Sequence, residues 1–462
     1  MATTPGGRGR PGFFRALSGR ARGGFSPAQT MVLGFAGLIL VGTCLLALPV
    51  ASATGKSIGL LDAFFTATSA ACVTGLQVRD TATTFSPFGQ AVILLLVQAG
   101  GLGTTILATL VALVLGKRIS LRERLALSET LGTHGPSGVV RLVREILVLT
   151  VVAEAAGALL LFARFALEYP PGRAAWLAVF HAVSAYNNAG FDLFSVSLRG
   201  HATDGFVLLV IAGLIILGGI GYIVVLDARR AGLRWQAYSL HSRIALATTL
   251  GLLVLGTALI AALEWHNPRT LGALPPAYRP LAAFFTAVSP RTAGFEVVPT
   301  GALTEASLLL TVALMYIGAS PGGTGGGIKT TTFVTLVLAL RAAVRGEEAV
   351  VVAGRHLPED QVRKAWVIAT IAAGWILGLT GVLLVTEAGR RLTEVLFEVV
   401  SAFGTVGLTT GLTPQLSPVG RVLIALMMYS GRVGPLTLAV ALAERRRPRP
   451  PIQFPEERVM IG

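Results

Sequence analysis

The sequence predicts an all-α polytopic membrane protein, with eight transmembrane helices and four short re-entrant helices set as four repeats around a pseudo-fourfold pore. Three observations carry this. Hydrophobic residues make up 53% of the 462 residues and charged residues 13%, with a mean hydropathy of +0.71, whereas a soluble domain carries about 25% charged residues. Long apolar runs recur along the chain, each near the ~20 residues that cross a bilayer. Between them, a shorter stretch ending in glycine recurs four times.

The composition argues against a soluble enzyme, a disordered chain and a nucleic-acid-binding domain. The 55 glycines agree, since glycine is more frequent in membrane helices than in soluble ones. Cys44 and Cys72 are the only two cysteines, too few for a disulfide framework or a cysteine-based metal site. The six histidines show no metal-ligand spacing. A net charge of +15 would suit nucleic acid if it formed one patch. Instead most of the 38 basic residues fall in short segments between apolar runs: Arg8 to Arg22, Lys117 to Arg144, Arg229 to Arg243, Arg341 to Lys364 and Arg445 to Arg458. With alternating helices all five segments share one side. The positive-inside rule makes it the cytoplasm, with both termini inside and the chain in the plasma (inner) membrane. Met31–Val50 is read as a retained helix, not a signal peptide, because the run is too long for a signal sequence and no cleavage site follows.

In order, the chain divides into a basic N-terminus (1–27), a first repeat (28–116), a second (117–228), a third (229–340), a fourth (341–444) and a basic tail (445–462). The apolar runs lie at about 28–50, 86–116, 145–166, 204–227, 244–264, 305–340, 365–387 and 416–443. The short stretches between the runs of each pair are Ala63–Leu76, Val179–Phe191, Ala283–Phe295 and Leu396–Leu408. Each carries an aromatic (Phe65, Phe180, Phe285, Phe397), then a serine (Ser69, Ser184, Ser289, Ser401), then a glycine (Gly75, Gly190, Gly294, Gly407). The third copy is one residue shorter between serine and glycine.

A helix of about ten residues cannot cross a bilayer. It enters and returns only where its irregular backbone lines a cavity or is buried in protein. Four such units around an axis bring four glycine turns together. Glycine admits backbone angles closed to other residues, so successive carbonyls can face the axis and replace a cation's water. The C-terminal ends of four short helices add partial negative charge at the centre. One such glycine alone would read as a helix cap; four in register beside aligned Phe and Ser read as a filter.

The CVTGL, NNAGF, RTAGF and TVGL turns resemble the four filter loops of the Trk/Ktr/HKT potassium transporter superfamily, and the repeat resembles its M1–P–M2 unit. The likeness runs from about Met31 to Glu444 and is nearest to the KtrB-type membrane subunit, which has eight spans. It implies filter carbonyls from Cys72, Val73, Thr74 and Gly75; Asn187, Asn188, Ala189 and Gly190; Thr292, Ala293 and Gly294; and Thr405, Val406 and Gly407. Glycine in all four loops goes with potassium permeation in that family. The resemblance implies passive K⁺ conduction, no cofactor bound by this chain, a homodimer and a cytosolic ring of RCK-type nucleotide-binding subunits. Na⁺ stays open as a modulator, and the basic tail meets a partner, the dimer mate or anionic membrane lipid.

Several residues admit two readings. Asp80, Asp192 and Glu296 follow their glycines on the outer side, where they either concentrate cations or are ordinary solvated charges. Arg291, inside a filter loop, is expected to point backward and bond loop carbonyls. Gly318–Thr330 resembles a phosphate-binding loop, but Ile328 separates Gly327 from Lys329 and no strand precedes it. Its glycines and Pro321 cannot hold a helix in lipid, so it is read as a break facing protein or water. Its place just below the third turn resembles the family's intramembrane gating loop, with Gly322, Gly323, Thr324, Gly325, Gly326, Gly327 and Lys329 as gate residues. Arg432 sits at membrane depth; as a further gate residue it is expected to bond the unpaired carbonyls of that break, the other reading being a structural tie to a neighbouring helix. Glu154 is a further charge at depth with no partner evident in the sequence. A coupled secondary transporter is the rival reading. A membrane enzyme is disfavoured, for want of a catalytic constellation.

Overall fold

The computed structural model describes residues 27–103, 106, 139–232, 234–347, 349–434 and 437–438. The basic N-terminus, the far end of the second apolar run, the segment from Lys117 to Gly138 and the basic tail lie outside the described residues. The fold is helical; the only strands described are the two-residue pair β1 (Val351–Val352) and β2 (Arg355–His356).

Each unit follows one pattern. A first helix is followed by a short one, a turn, and a second helix. The first helices are α1 (Pro27–Leu46), α4 (Val139–Phe165), α8 (Leu240–Glu264) and α12 (Glu359–Thr386). The short helices are α2 (Leu60–Ala71), α5 (Pro171–Tyr186), α9 (Arg279–Val288) and α13 (Leu392–Gly404). The second helices open as α3 (Pro87–Leu102), α6 (Gly205–Gly219, continued by α7, Tyr222–Ala231), α10 (Glu305–Tyr316, continued by α11, Thr330–Val344) and α14 (Pro418–Val433). Each second helix starts on a side-chain cap: Ser86, Asp204, Thr304 and Ser417 accept N–H groups of the first turn. Such a cap satisfies donors that no helical carbonyl can reach.

Among the described residues the four first helices are long and apolar enough to cross a membrane, and the α6–α7 pair, bent by 97°, makes a fifth candidate. The second helices depart from the continuous spans expected at 86–116, 204–227 and 416–443. α3 stops at Gly103 (φ +82°), α6 turns at Gly221 (φ +89°) and α14 stops at Gly434 (φ +91°). These left-handed angles end the helix and belong to glycine. The break expected at 318–330 separates α10 from α11.

The units close on one another in chain order. α3 packs on α5, α6 on α9, α10 on α13, and α14 returns to α2. Polar ties repeat the sequence: Trp176 to Gln90 (2.8 Å), Arg199 to Glu296, Arg391 to Glu305 (3.1 Å) and Arg421 to Asp62. Phe65, Phe180, Phe285 and Phe397 are fully buried inside this ring, as packing residues of the short helices. Removing one would cost about 3–5 kcal/mol.

Candidate functional site

The short helices end at the centre, and the four turns after them share one backbone geometry. Positive φ recurs at alternate residues: Val73 and Gly75, Asn188 and Gly190, Thr292 and Gly294, Thr405 and Gly407. The four glycines form a closed cycle. A methyl group on Gly75 would overlap the Ala189 carbonyl, one on Gly190 would lie 2.8 Å from the Ala293 carbonyl, one on Gly294 would overlap that of Val406, and one on Gly407 that of Thr74. No side chain fits between these turns.

The aligned serines explain how the turns are held. Thr74, Ala189, Ala293 and Val406 donate their N–H groups back to the carbonyls of Ser69, Ser184, Ser289 and Ser401 at 2.8–2.9 Å. Ser69 and Ser401 also take the N–H of Gly75 and Gly407 on their hydroxyls, while Ser184 and Ser289 donate theirs to the carbonyls of Phe191 and Phe295. The turn's N–H groups are thereby drawn outward. Among the described residues, none of the turn carbonyls at 72–75, 187–190, 292–294 and 405–407 accepts a hydrogen bond. Buried carbonyls are rarely left so. Together with the C-terminal ends of the four short helices that lead into these turns, they can face a bare cation.

A cavity of about 450 Å³ lies on one side of the ring, with all four glycines, Asp80, Asp192 and Glu296 in its lining. None of the three acids is simply solvated. Asp80 caps a turn at Thr83 and accepts from Ser195, Glu296 pairs with Arg199, and Asp192 is 9% exposed and accepts the Phe194 N–H. Burial, with Asp80 and Glu296 adding negative charge nearby, pushes the Asp192 carboxyl up to about 6.

A cavity of about 400 Å³ on the other side is lined by Thr324, Gly325, Lys329 and Arg432. Ile317 and Ile328 pair at the neck of the 318–330 loop, where the Gly318 N–H meets the Ile328 carbonyl at 2.9 Å. The loop lies directly against the turns. Gly325 abuts Thr292, Gly326 abuts Thr405 and donates to its hydroxyl at 3.1 Å, and the Thr324 hydroxyl donates to the Tyr186 carbonyl at 3.1 Å. Ser320 and Thr324 donate to the carbonyls of Gly219 and Gly218, which the α6 break leaves open. Lys329 Nζ donates to the Gly325 carbonyl at 2.6 Å.

Arg432 donates to the Thr324 carbonyl in the loop. It also ties a neighbouring helix, the other reading of this residue, at the Gly100 and Gly101 carbonyls at the end of α3, which the sequence did not single out. The signal was present: Gly100-Gly101-Leu102-Gly103, Gly218-Gly219-Ile220-Gly221 and Gly431-Arg432-Val433-Gly434 are a second repeat, placing Arg432 where the other units carry Gly101 and Gly219. Gly100, Gly218 and Gly431 let α3, α6 and α14 close on the carbonyls of Ala71, Tyr186 and Phe403, each four residues before a turn glycine. Arg291 does point backward, but to Thr249 of α8 (3.3 Å to its hydroxyl) and not to loop carbonyls. Thr249 offers a hydroxyl and a carbonyl that the loop, with its carbonyls turned elsewhere, does not. Glu154 meets Asn187 at 2.9 Å.

The helices define a multi-pass membrane protein, and its family is one of cation transporters, not enzymes. Residues 28–447 match the family described as TrkH: Cation transport protein, and the chain belongs to that family. It is 38% identical to Ktr system potassium uptake protein B of Bacillus subtilis (strain 168), over 95% of this chain and 97% of that protein. It is 40% identical to the protein of the same name from Vibrio alginolyticus, over 96% of each. Potassium/sodium uptake protein NtpJ of Enterococcus hirae is 38% identical over 96% of this chain and 99% of that one. The crystal structure of the potassium transporter TrkH from Vibrio parahaemolyticus shares the fold at a TM-score of 0.72, with 19% identity over 92% of this chain and 86% of that one.

Proposed function

We propose that the chain is the potassium-translocating subunit of a Ktr/Trk-type uptake system, and that K⁺ passes down its gradient through the ring of glycine turns. The observation that carries this is the closed cycle of four turns whose N–H groups are tied back to serines while their carbonyls stay unpaired. Such a ring exchanges water for carbonyl oxygens around K⁺. The names of the relatives, potassium uptake proteins at 38–40% identity, support the ion. In this reading the chain makes eight spans in four M1–P–M2 units, the second span of each unit broken at its glycines, with both termini cytoplasmic in the plasma membrane. The division at 28–116, 117–228, 229–340 and 341–444 follows those units.

The 318–330 loop is the gate in this reading. It lies between the turns and the inner cavity, and the charges of Lys329 and Arg432 stand where an ion would leave. A homodimer works with a cytosolic ring of RCK-type nucleotide-binding subunits, which act on the loop from outside the chain. Four units closing in order favour a pore over a carrier of two rocking halves. The test is growth of a potassium-uptake-deficient strain on low K⁺, with and without such a partner. Rescue that needs the chain, and Rb⁺ uptake by proteoliposomes of purified chain, support the reading. Uptake of another solute with no Rb⁺ flux would overturn it. ATP binding by the purified chain, abolished by Lys329→Ala, would overturn the gate.

A further inference from the structure

We infer that Glu154 is a positioning residue of the pore: from the middle of α4, with Gln98 of α3, it holds the side-chain amide of Asn187 and so fixes the second of the four turns. This rests on the filter reading above and names what sets that filter's shape.

An ionisable group at this depth is costly, about 2.5–3.5 kcal/mol for charged residues on insertion scales. A leucine there would insert at no such cost. Among the described residues Glu154 forms no ion pair that would offset its charge. What it meets instead is Asn187, whose Nδ2 lies 2.9 Å from Glu154 Oε1, 3.0 Å from Gln98 Oε1 and 2.9 Å from the Val183 carbonyl. Three acceptors surround an amide nitrogen with two protons. The amide cannot retreat. Asn187 is fully buried, and its Oδ1 lies where a side chain at position 101 would stand, a place left open only because that residue is glycine.

The backbone of Asn187 is where α5 ends and the turn begins. A side chain clamped on three sides therefore fixes the first carbonyl of that turn and the entry to the next three. The matching positions, three residues before the other glycines, are Cys72, Arg291 and Gly404. Arg291 is held by the uncharged Thr249, and Gly404 has no side chain to hold. The second turn thus has a carboxyl-backed tether that the third and fourth turns lack. Loss of the tether lets one quarter of the ring relax, which alters the fit to K⁺ relative to Na⁺.

The experiment measures Rb⁺ against Na⁺ permeability in proteoliposomes, per folded full-length protein. Glu154→Leu leaves Gln98 and the Val183 carbonyl for the two amide protons but removes the only hold from α4, and should lower the preference about threefold, the low end of one net hydrogen bond. Glu154→Gln keeps an oxygen acceptor at the same reach and should stay within about twofold of the parent. Asn187→Leu, which removes all three contacts, should lose at least as much, and the double variant should be no worse than Asn187→Leu alone, because Glu154 acts through Asn187. Parental selectivity in Glu154→Leu, or multiplied losses in the double variant, would overturn the inference. If Glu154→Leu does not fold, Glu154→Asp carries the test: drawn back by one methylene, it should lose selectivity where Gln keeps it, and the reverse order would overturn the tether. Gly75→Ser, run beside them, separates the two levels. If it and the matching serine variants of Gly190, Gly294 and Gly407 all leave selectivity intact the filter reading fails; if they lower selectivity while Glu154→Leu does not, only the tether fails.

Discussion

Replacing Arg432 by alanine should open the pore. Its guanidinium donates to the Thr324 carbonyl of the loop and to the Gly100 carbonyl at the end of α3, with Gly101 in reach at 3.3 Å. It therefore bridges the loop to a helix two units away in the ring. Hydrogen bonds from a charged donor are worth about 1.5–3 kcal/mol each, so the two bonds hold the loop by about 3–6 kcal/mol. At about 1.4 kcal/mol per factor of ten, their loss shifts the loop's closed-to-open balance by on the order of a hundredfold or more. The positive charge beneath the turns also repels K⁺, and that barrier goes too. Flux of Rb⁺ into proteoliposomes, normalised to folded dimer, should rise about tenfold or more without the cytosolic partner, and lose its response to that partner. Arg432→Lys should fall between, since a point charge keeps repulsion but cannot bridge two carbonyls. A drop or no change in flux for Arg432→Ala, with folding intact, would refute the gate and leave Arg432 as a structural tie.

Two further outcomes follow from the same geometry. Ser401→Ala strands the buried Gly407 N–H, which now meets the serine hydroxyl at 3.2 Å; it should cost about 1–3 kcal/mol in thermal or denaturant unfolding and reduce K⁺ over Na⁺ selectivity. Asp192, raised by burial to about 6, keeps its charge above that pH and loses it below; inward flux should fall as the outer pH drops through about 6, and Asp192→Asn should flatten that step in a pH series of uptake assays.

The repeat was legible because glycine, serine and phenylalanine recur at fixed offsets and each has a local cause: the turn's left-handed angle, the return of its N–H groups, the burial of a short helix. The 318–330 break was legible because no helix survives that glycine density in lipid. What escaped is long-range. Glu154 finds Asn187 and Gln98 only once α3, α4 and α5 are packed. Arg291 finds Thr249 across 42 residues. The helix ends at Gly103, Gly221 and Gly434 hide inside apolar runs, because hydropathy does not register a backbone angle. Their consequence, a set of open carbonyls that the loop and Arg432 fill, depends on three units meeting at once.

The most direct measurement is ion selectivity in the four variants Gly75→Ser, Gly190→Ser, Gly294→Ser and Gly407→Ser, each adding a side chain where none fits between the turns. Rb⁺ and Na⁺ permeabilities are compared in proteoliposomes, with Gly374→Ser, where nothing lies within 4 Å, as the control. Every one of the four should lower the preference for Rb⁺ by about tenfold or more, while the control keeps it. Parental selectivity in all four would contradict a filter built from these turns.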